Sequence, residues 1–267
     1  MTTTTAVATT QGTAVAAYQE PFDDGLGALD SGDLIIPRLI ITQKTTPGIE
    51  TENIGKFFIN LTGEFFNSMR LTTLKLTKGR ILWPNEYDKD NEPLCRSHDF
   101  AYPADDIQNA TPMASSCGLL PGDPKKHVCP YADWTLDKKG KPKPPQCSEL
   151  WNLLVLDLDS YMPMFFTVKS TGIKPAKKFY SAVNIIGKAK NIPMWNQEFT
   201  INLMVANFDS GPAYIPSFVG PKQLSAEESE VVNSIRYQMA DVDMRTDDAA
   251  DNAPSTKPAE PEEAEQF

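Results

Sequence analysis

The sequence predicts a mainly β (β+α) protein, an OB-fold-like barrel with a cysteine-rich insertion and disordered termini. Three observations lead to this fold class. Apolar or alternating runs typical of strands recur through the middle of the chain, a single internal segment has helical spacing, and all four cysteines fall in one stretch poor in aliphatic residues. Five or more strands with one internal helix are typical of a small barrel of the OB type.

The strands are predicted from apolar, β-branched or alternating runs. They are expected at 34–43, 56–61, 69–83, 150–158, 162–168, 198–206 and 213–219. A proline in the first turn and apolar residues at near-helical spacing predict a helix over 175–189. Ser225 and Glu228 form a capping-box pattern, which predicts that a last helix begins there and runs to about residue 240.

Composition sets the domain organisation. Residues 1–33 are rich in Thr, Ala, Gly and Asp, and residues 241–267 are acidic and rich in proline, so neither segment can bury enough apolar surface to offset its chain entropy. We therefore predict a disordered N-terminal arm (1–33), a folded core (34–240) with an insertion at 87–148, and a disordered acidic tail (241–267).

The sequence also predicts where the protein acts. No run approaches the roughly 20 apolar residues that a membrane helix needs. The N-terminus lacks the basic start and apolar stretch of a signal peptide. We expect a cytoplasmic protein that does not bind membranes, in which cysteines stay reduced.

The net charge of −10 is unevenly distributed. From Asp241 onward nine acids stand against two basic residues, so this tail supplies −7 and the rest of the chain only −3. Residues 65–85 and 169–190 contain no acid at all but several lysines and arginines. A body with basic strips and a separate acidic tail is compatible with nucleic-acid binding.

The two acid-free strips are candidate contacts to single-stranded DNA, because such binders combine a cationic groove with aromatic faces on which bases stack. The candidate residues of the first strip are Arg70, Lys75, Lys78, Arg80 and Trp83, and those of the second are Lys169, Lys174, Lys177, Lys178, Phe179 and Tyr180. The lysine-rich loop at 138–143 is a third candidate contact. For each single aromatic residue, packing in the core is the competing interpretation.

The cysteines predict a zinc site. Cys95, Cys117, Cys129 and Cys147 lie within 53 positions that also contain both histidines, His98 and His127. Zinc takes four tetrahedral ligands from thiolate and imidazole, and a closed four-ligand site is structural. We predict one structural Zn²⁺ held by the four cysteines, with His98 and His127 as substitute ligands; incidental thiols and disulfides remain alternatives.

The C-terminus carries the most specific motif. Its acidic residues Glu262, Glu263 and Glu265 precede a terminal Phe267, which could fill an apolar pocket while the carboxylates meet basic residues. This end resembles the tip of bacterial and phage single-stranded-DNA-binding proteins, most closely the T7 type. The core start at 33–39, the cysteine-bearing insertion and the block at 174–180 resemble zinc-containing phage replication and recombination binders.

The resemblance implies an OB fold that coats and protects single-stranded DNA without sequence preference during phage replication and recombination, in the cytoplasm of the bacterial host. It also implies that Glu262, Glu263, Glu265 and Phe267 recruit a polymerase, helicase or recombinase. Two features depart from the pattern: Gln266 replaces the more usual acid, and no Cys-x-x-Cys pair is present. The oligomeric state stays open, with a homodimer among the options.

Other functions compete with this one. The main alternative is an acidic phage interaction or inhibitor protein that acts on a host enzyme without binding nucleic acid. An RNA-binding zinc protein is a second. We do not expect an enzyme, because the chain lacks a Walker or G-x-G-x-x-G loop and a G-x-S-x-G elbow.

Overall fold

A computed structural model describes residues 35–84, 93–104, 114–208 and 211–244 of the chain. Of the described residues, 42% lie in strands and 23% in helices, which confirms the prediction of a mainly β protein with a smaller helical part. The predicted arm at 1–33 lies outside the described residues, and so does the predicted tail apart from its first four residues.

Every predicted strand and helix has a counterpart in the described residues. The strands are β1 (Arg38–Ile41), β2 (Phe57–Ile59), β3 (Phe65–Phe66), β4 (Ser68–Leu82), β5 (Cys95–Ser97), β6 (Leu119–Leu120), β7 (Asp123–His127), β8 (Thr135–Leu136), β9 (Pro142–Lys143), β10 (Cys147–Asp157), β11 (Pro163–Lys169), β12 (Gln197–Phe208) and β13 (Gly211–Gln223). The α-helices are α1 (Ile173–Lys190) and α2 (Ala226–Gln238). None of the helices in these ranges is both long and apolar enough to cross a membrane.

Nine of these strands form one sheet that curls into a half-barrel. Its order is β13-β12-β4-β10-β11-β1-β2-β3, with β5 also paired to β4. The pairings are antiparallel except that of β1 with β11, which is parallel. β10 pairs with β4 along its whole length, from Cys147 opposite Leu82 to Asp157 opposite Leu71.

β10 divides the core into two layers. From Leu150 to Asp157 every residue is buried, because helices cover both faces of the sheet there. Successive side chains of a strand point to opposite faces, and accordingly Leu153 and Val155 pack with α1 while Leu154 and Leu156 pack with α2. The continuous apolar run of β10 is therefore the signature of a strand buried on both sides.

The side chain of Gln43 links β1 to β13, two strands that are far apart in the order of the sheet. The amide of Gln43, just after β1, donates from Nε2 to the Tyr214 carbonyl at 2.6 Å and accepts the Tyr214 N–H at 3.0 Å. It thus reproduces one antiparallel backbone pair between β1 and the edge strand β13. Gly55, at φ +79°, lies under the Tyr214 ring, and a Cβ there would collide with that ring.

The insertion at 87–148 contains more regular structure than its composition indicates. β5 extends the main sheet, and two small hairpins, β6–β7 and β8–β9, follow it. Cys95 of β5 and Cys147 of β10 both pair with Leu82, one on each side of it. The insertion is therefore held to the far end of β4 at both of its own ends.

An ion-pair network anchors α2 to the sheet. Ser225 and Glu228 form the predicted capping box. The Arg70 guanidinium lies between Glu198 of β12 and the Glu228 carboxylate, 2.6 Å from the latter.

Beyond the helix, Val242 and Met244 still pack in the layer that α2 covers, so a truncation that preserves this layer ends after Met244 and not at residue 240.

Glu228 makes the stability of this anchor depend on pH. Hydrogen bonds from Arg70 and Ser225 lower the pKa of Glu228 from 4.5 to about 2. A carboxyl group whose pKa falls on folding stabilises the folded state above its unfolded pKa, and this contribution is lost as the pH falls through the folded pKa. We expect Glu228→Gln to lower the free energy of unfolding by up to about 1 kcal/mol at neutral pH through loss of the ion pair with Arg70, with the deficit shrinking between pH 4.5 and about pH 2.

Urea unfolding of variant and unmodified protein across this pH range measures the deficit. Glu227→Gln is the matched control, since Glu227 also lies in the first turn of α2. A Glu228→Gln deficit that stays constant down to the acid end of the range would contradict this account.

Candidate nucleic-acid interface and cysteine cluster

An open groove of about 990 Å³ lies between α1 and the β12–β13 hairpin. Lys174, Lys178 and Ala182 form one wall, because residues four apart lie on the same face of a helix. Met204 and Phe208 of β12 contribute to the opposite side.

A second cavity of about 370 Å³ continues this groove around the turn before α1. Lys44 and Lys169 line it, and it shares residues 170–171 and 215–216 with the first. We call the two cavities together the hairpin groove. Gly172 keeps its walls close, since a Cβ there would lie 2.9 Å from a Val168 methyl and 3.3 Å from the Pro216 ring.

The hairpin groove is cationic. All four of its lysines are exposed, and no Asp or Glu lines it within the described residues. Lys174 lies in the first turn of α1, where the positive end of the helix dipole disfavours a cation by about 0.3–1 kcal/mol. An anion that binds between this helix end and the lysines would relieve the repulsion.

Apolar side chains stand exposed beside these charges. Phe208 is 41% exposed and Met204 is 49% exposed. Beneath them the Phe218 ring stacks on Phe179 with 5.0 Å between the ring centroids, and the two rings form the floor of the groove. The arrangement offers a stacking face at the rim and charges along the wall.

The structure separates the members of the second predicted strip. Lys169, Lys174 and Lys178 line the hairpin groove. Lys177 points away from it and pairs with Glu149 at 2.8 Å. Phe179 and Tyr180 are only 6% and 8% exposed, and the Tyr180 hydroxyl lies 2.7 Å from the Thr73 hydroxyl, so both rings belong to the core.

The first predicted strip makes contacts inside the protein. Arg70 pairs with Glu198 and Glu228. Lys75 donates to two backbone carbonyls after α2, at 3.3 and 3.1 Å. Lys78 lies over the Trp151 ring, 4.7 Å from its centroid. Arg80 is buried, and Trp83, at the end of β4, is half-buried.

The four cysteines are all buried, and they converge from four separate segments. Burial raises the pKa of Cys147 to about 12, and the other three cysteines contribute to this rise. Burial is also the main cause of the raised pKa of Cys117, and the neighbouring Cys95 and Cys129 raise it further. No three His, Cys, Asp or Glu side chains within the described ranges are arranged so that they could hold a metal ion as they stand.

Arg80 and His127 border this cysteine cluster. Arg80 is 5% exposed, packs on the Phe100 ring and donates to His127 Nε2 at 2.9 Å. Its Nε has no hydrogen-bond partner within the described residues. His127 Nδ1 lies 2.7 Å from Asp133, so both ring nitrogens of His127 are engaged. His98 is half-buried. The buried Arg80 guanidinium would be stabilised by negative charge on the neighbouring cysteines, because a buried charge needs a partner of opposite sign.

Sequence reasoning missed the hairpin side of the groove. Lys44, Met204 and Phe208 were not among the predicted contacts, because apolar residues of a predicted strand are usually core. The sequence did offer one signal for this side of the groove: residues 199–208 contain no charged residue, and a single acid, Asp209, follows them. The predicted partner-binding residues at 262–267 lie outside the described residues.

Comparison of the chain with protein-family models, with curated proteins and with solved structures found no match.

Proposed function

We propose that the protein binds single-stranded DNA without sequence preference and protects it during phage replication and recombination, as an OB-like module. The observation that carries this proposal is the hairpin groove, which combines four exposed lysines with exposed apolar side chains and no lining acid among the described residues. Strand binders use this combination because every base has a face that can stack and every nucleotide has a phosphate.

In this proposal the groove residues have different roles. Lys44, Lys169, Lys174 and Lys178 contact successive phosphates, and Phe208 stacks on a base. The stacked rings of Phe179 and Phe218 form an apolar floor beneath the strand. Neither role requires a bond to be made or broken, so the proposal includes no catalytic step.

We further propose that the cysteine cluster holds one structural Zn²⁺. The donor set is four buried thiols, the ligand type and number of a closed structural zinc site, and their side chains would have to move together to ligate the ion as thiolates. The bound ion would give the cluster a net negative charge, and Arg80 would be its buried counter-charge. The ion would brace the insertion and supply no reactive water.

The acidic tail completes the proposal. Glu262, Glu263, Glu265 and Phe267 recruit a polymerase, helicase or recombinase. A chain that ends after Met244 tests this role: it should lose such partners in a binding assay with each purified protein. It should bind DNA more tightly at low salt, because the tail carboxylates no longer compete with DNA phosphates. Retention of the partners by the shortened chain would contradict the role.

Removal of groove lysines tests the DNA proposal. We expect the double variant Lys174→Ala/Lys178→Ala to weaken binding of a labelled oligo-dT at least about tenfold at low salt and to lower the slope of log K against log salt by about 1.4, or about 0.7 for each phosphate contact. Phe208→Ala should cost about 1–3 kcal/mol of binding free energy through lost stacking. Fluorescence anisotropy at several salt concentrations measures both effects.

The matched control is Lys188→Ala/Lys190→Ala, which removes the same charge from the other end of α1. It should change binding by less than about threefold, since these lysines lie outside the groove. Equal losses in the two double variants would overturn the assignment of the groove. Failure of the unmodified protein to bind any oligonucleotide would favour the interaction-protein alternative.

The zinc proposal predicts the metal content of the purified protein. We expect elemental analysis to find about one zinc per chain in the unmodified protein and none in Cys147→Ser. A chelator should lower the unfolding temperature, because the free energy of metal ligation is also folding free energy. Ser148→Ala, at the neighbouring residue of β10, should keep the metal. A metal-free protein whose unfolding temperature does not respond to chelator would contradict a structural zinc.

A further inference from the structure

We propose that the cysteine-rich insertion carries a second contact to single-stranded DNA, in which Trp134 stacks on a base and the surrounding lysines bind phosphates. This inference rests on the proposed function and deepens it, because it extends the DNA path beyond the hairpin groove. The contact surface, which we call the insertion face, is formed by Trp134, Leu136 and the lysines of the two small hairpins.

The exposure of Trp134 is the first observation. Its side chain is 67% exposed and that of Leu136 is 70% exposed. Trp134 immediately precedes β8 and Leu136 ends it, so both exposed apolar side chains lie beside the β8–β9 hairpin. An indole left in water loses the burial that normally stabilises it, and exposed tryptophans are enriched where partners bind.

The charge around Trp134 indicates what kind of partner this is. Between residues 114 and 146 there are six lysines and three aspartates. All six lysines are exposed: Lys125, Lys126, Lys138, Lys139, Lys141 and Lys143. None of them forms an ion pair with another described residue.

The three aspartates are used within the hairpins. Asp137 accepts the N–H groups of Lys139 and Lys141, each at 2.8 Å, and so shapes the turn that presents these lysines. Asp123 accepts the Lys125 N–H at 3.0 Å, and Asp133 is bound by His127. The carboxylates thus order the turns while the ammonium groups remain available for phosphates.

Sheet register connects the C-terminal end of the insertion to the groove. Lys169, a groove residue, pairs with Leu150 of β10. Cys147, where the insertion joins β10, is three residues further along the same strand, a distance of roughly 10 Å. A strand of DNA that leaves the groove at Lys169 therefore passes near the point where the insertion joins the main sheet.

Two alternatives to this role are possible for the same surface. An exposed Trp and Leu could bind a protein, and the lysines could serve only solubility. DNA is favoured because the surface repeats the composition of the groove, an apolar face among lysines whose neighbouring carboxylates are already engaged.

The test uses the full-length protein and oligo-dT strands of about 4 to 30 nucleotides, which span the site sizes of single and extended OB modules. We expect Trp134→Ala to leave the affinity for the shortest strands unchanged and to weaken binding of the longest about five- to hundredfold. Trp134→Phe should restore most of the loss. Lys138→Ala/Lys139→Ala should lower the salt slope by about 1.4 for long strands only.

Tyr237→Ala is the matched control, since Tyr237 of α2 is an exposed aromatic residue of similar exposure, 66%. It should bind strands of every length as the unmodified protein does. A direct readout comes from fluorescence: quenching by long strands should be smaller in Trp134→Phe than in the unmodified protein, and quenching by the shortest strands should be equal.

The outcomes separate the two proposals. If Trp134→Ala binds long strands normally while Lys174→Ala/Lys178→Ala loses the short ones, the groove is the DNA site and the insertion face is not. If the unmodified protein binds no strand of any length, the proposed function fails and this inference fails with it. Loss of a protein partner without any change in DNA binding would assign the insertion face to that partner and overturn the inference.

Discussion

The pairing of β10 with β4 is the interaction on which the rest of the structure depends. Its eleven residue pairs place one strand at the centre of the sheet, buried on both faces. The alternation of Leu153 and Val155 with Leu154 and Leu156 divides the core between α1 and α2. The same ladder ends at Cys147, so the register that builds the core also positions the cysteine cluster.

Both candidate sites follow from that ladder. β11 pairs with the other edge of β10 and brings Lys169 and the turn before α1 to the mouth of the hairpin groove. β12 pairs with the other edge of β4 and carries Phe208 to the opposite wall. Gln43 then links β1 to β13 by two hydrogen bonds with the Tyr214 backbone, and both residues line the smaller cavity of the groove.

The basic residues divide into two groups by their partners. The first group makes contacts inside the protein. Arg70 pairs with Glu228 of α2, and Lys75 donates to the segment after α2. Lys78 lies over the Trp151 ring, and Arg80 donates to His127 of the insertion. The lysines of the groove and of the insertion face stay exposed, and the carboxylates near the latter are occupied by backbone N–H groups or by His127. Charge that stabilises the fold is thus distinct from charge that remains available for a polyanion.

Local patterns in the sequence predicted the strands and helices well. The alternation around Leu74 and Leu76 marked β4, and Ser225 with Glu228 marked the start of α2, because these signals involve residues close together in the chain. Contacts between distant residues were beyond such patterns. Arg70 finds its partner 158 positions away in Glu228, and nothing local distinguishes it from Lys174, which has no such partner among the described residues.

The candidate site was partly predictable for the same reason. The acid-free segment 169–190 marked the lysine wall of the groove, but only the packing of α1 shows that Phe179 and Tyr180 face the core. Phe208 was missed because an apolar strand residue is usually buried, and its exposure results from β12 extending past the end of β4. The clustering of four cysteines in the sequence did anticipate their convergence in space.

The most direct test of the central claim is a titration of the full-length protein with oligo-dT and with a duplex of the same length, followed by tryptophan fluorescence at low and high salt. The account predicts quenching by the single strand and weaker binding of the duplex. For a strand too short to reach the insertion face, log K should fall with log salt with a slope of about −3, as expected for four lysine–phosphate contacts. Absence of binding, or a preference for duplex, would contradict it.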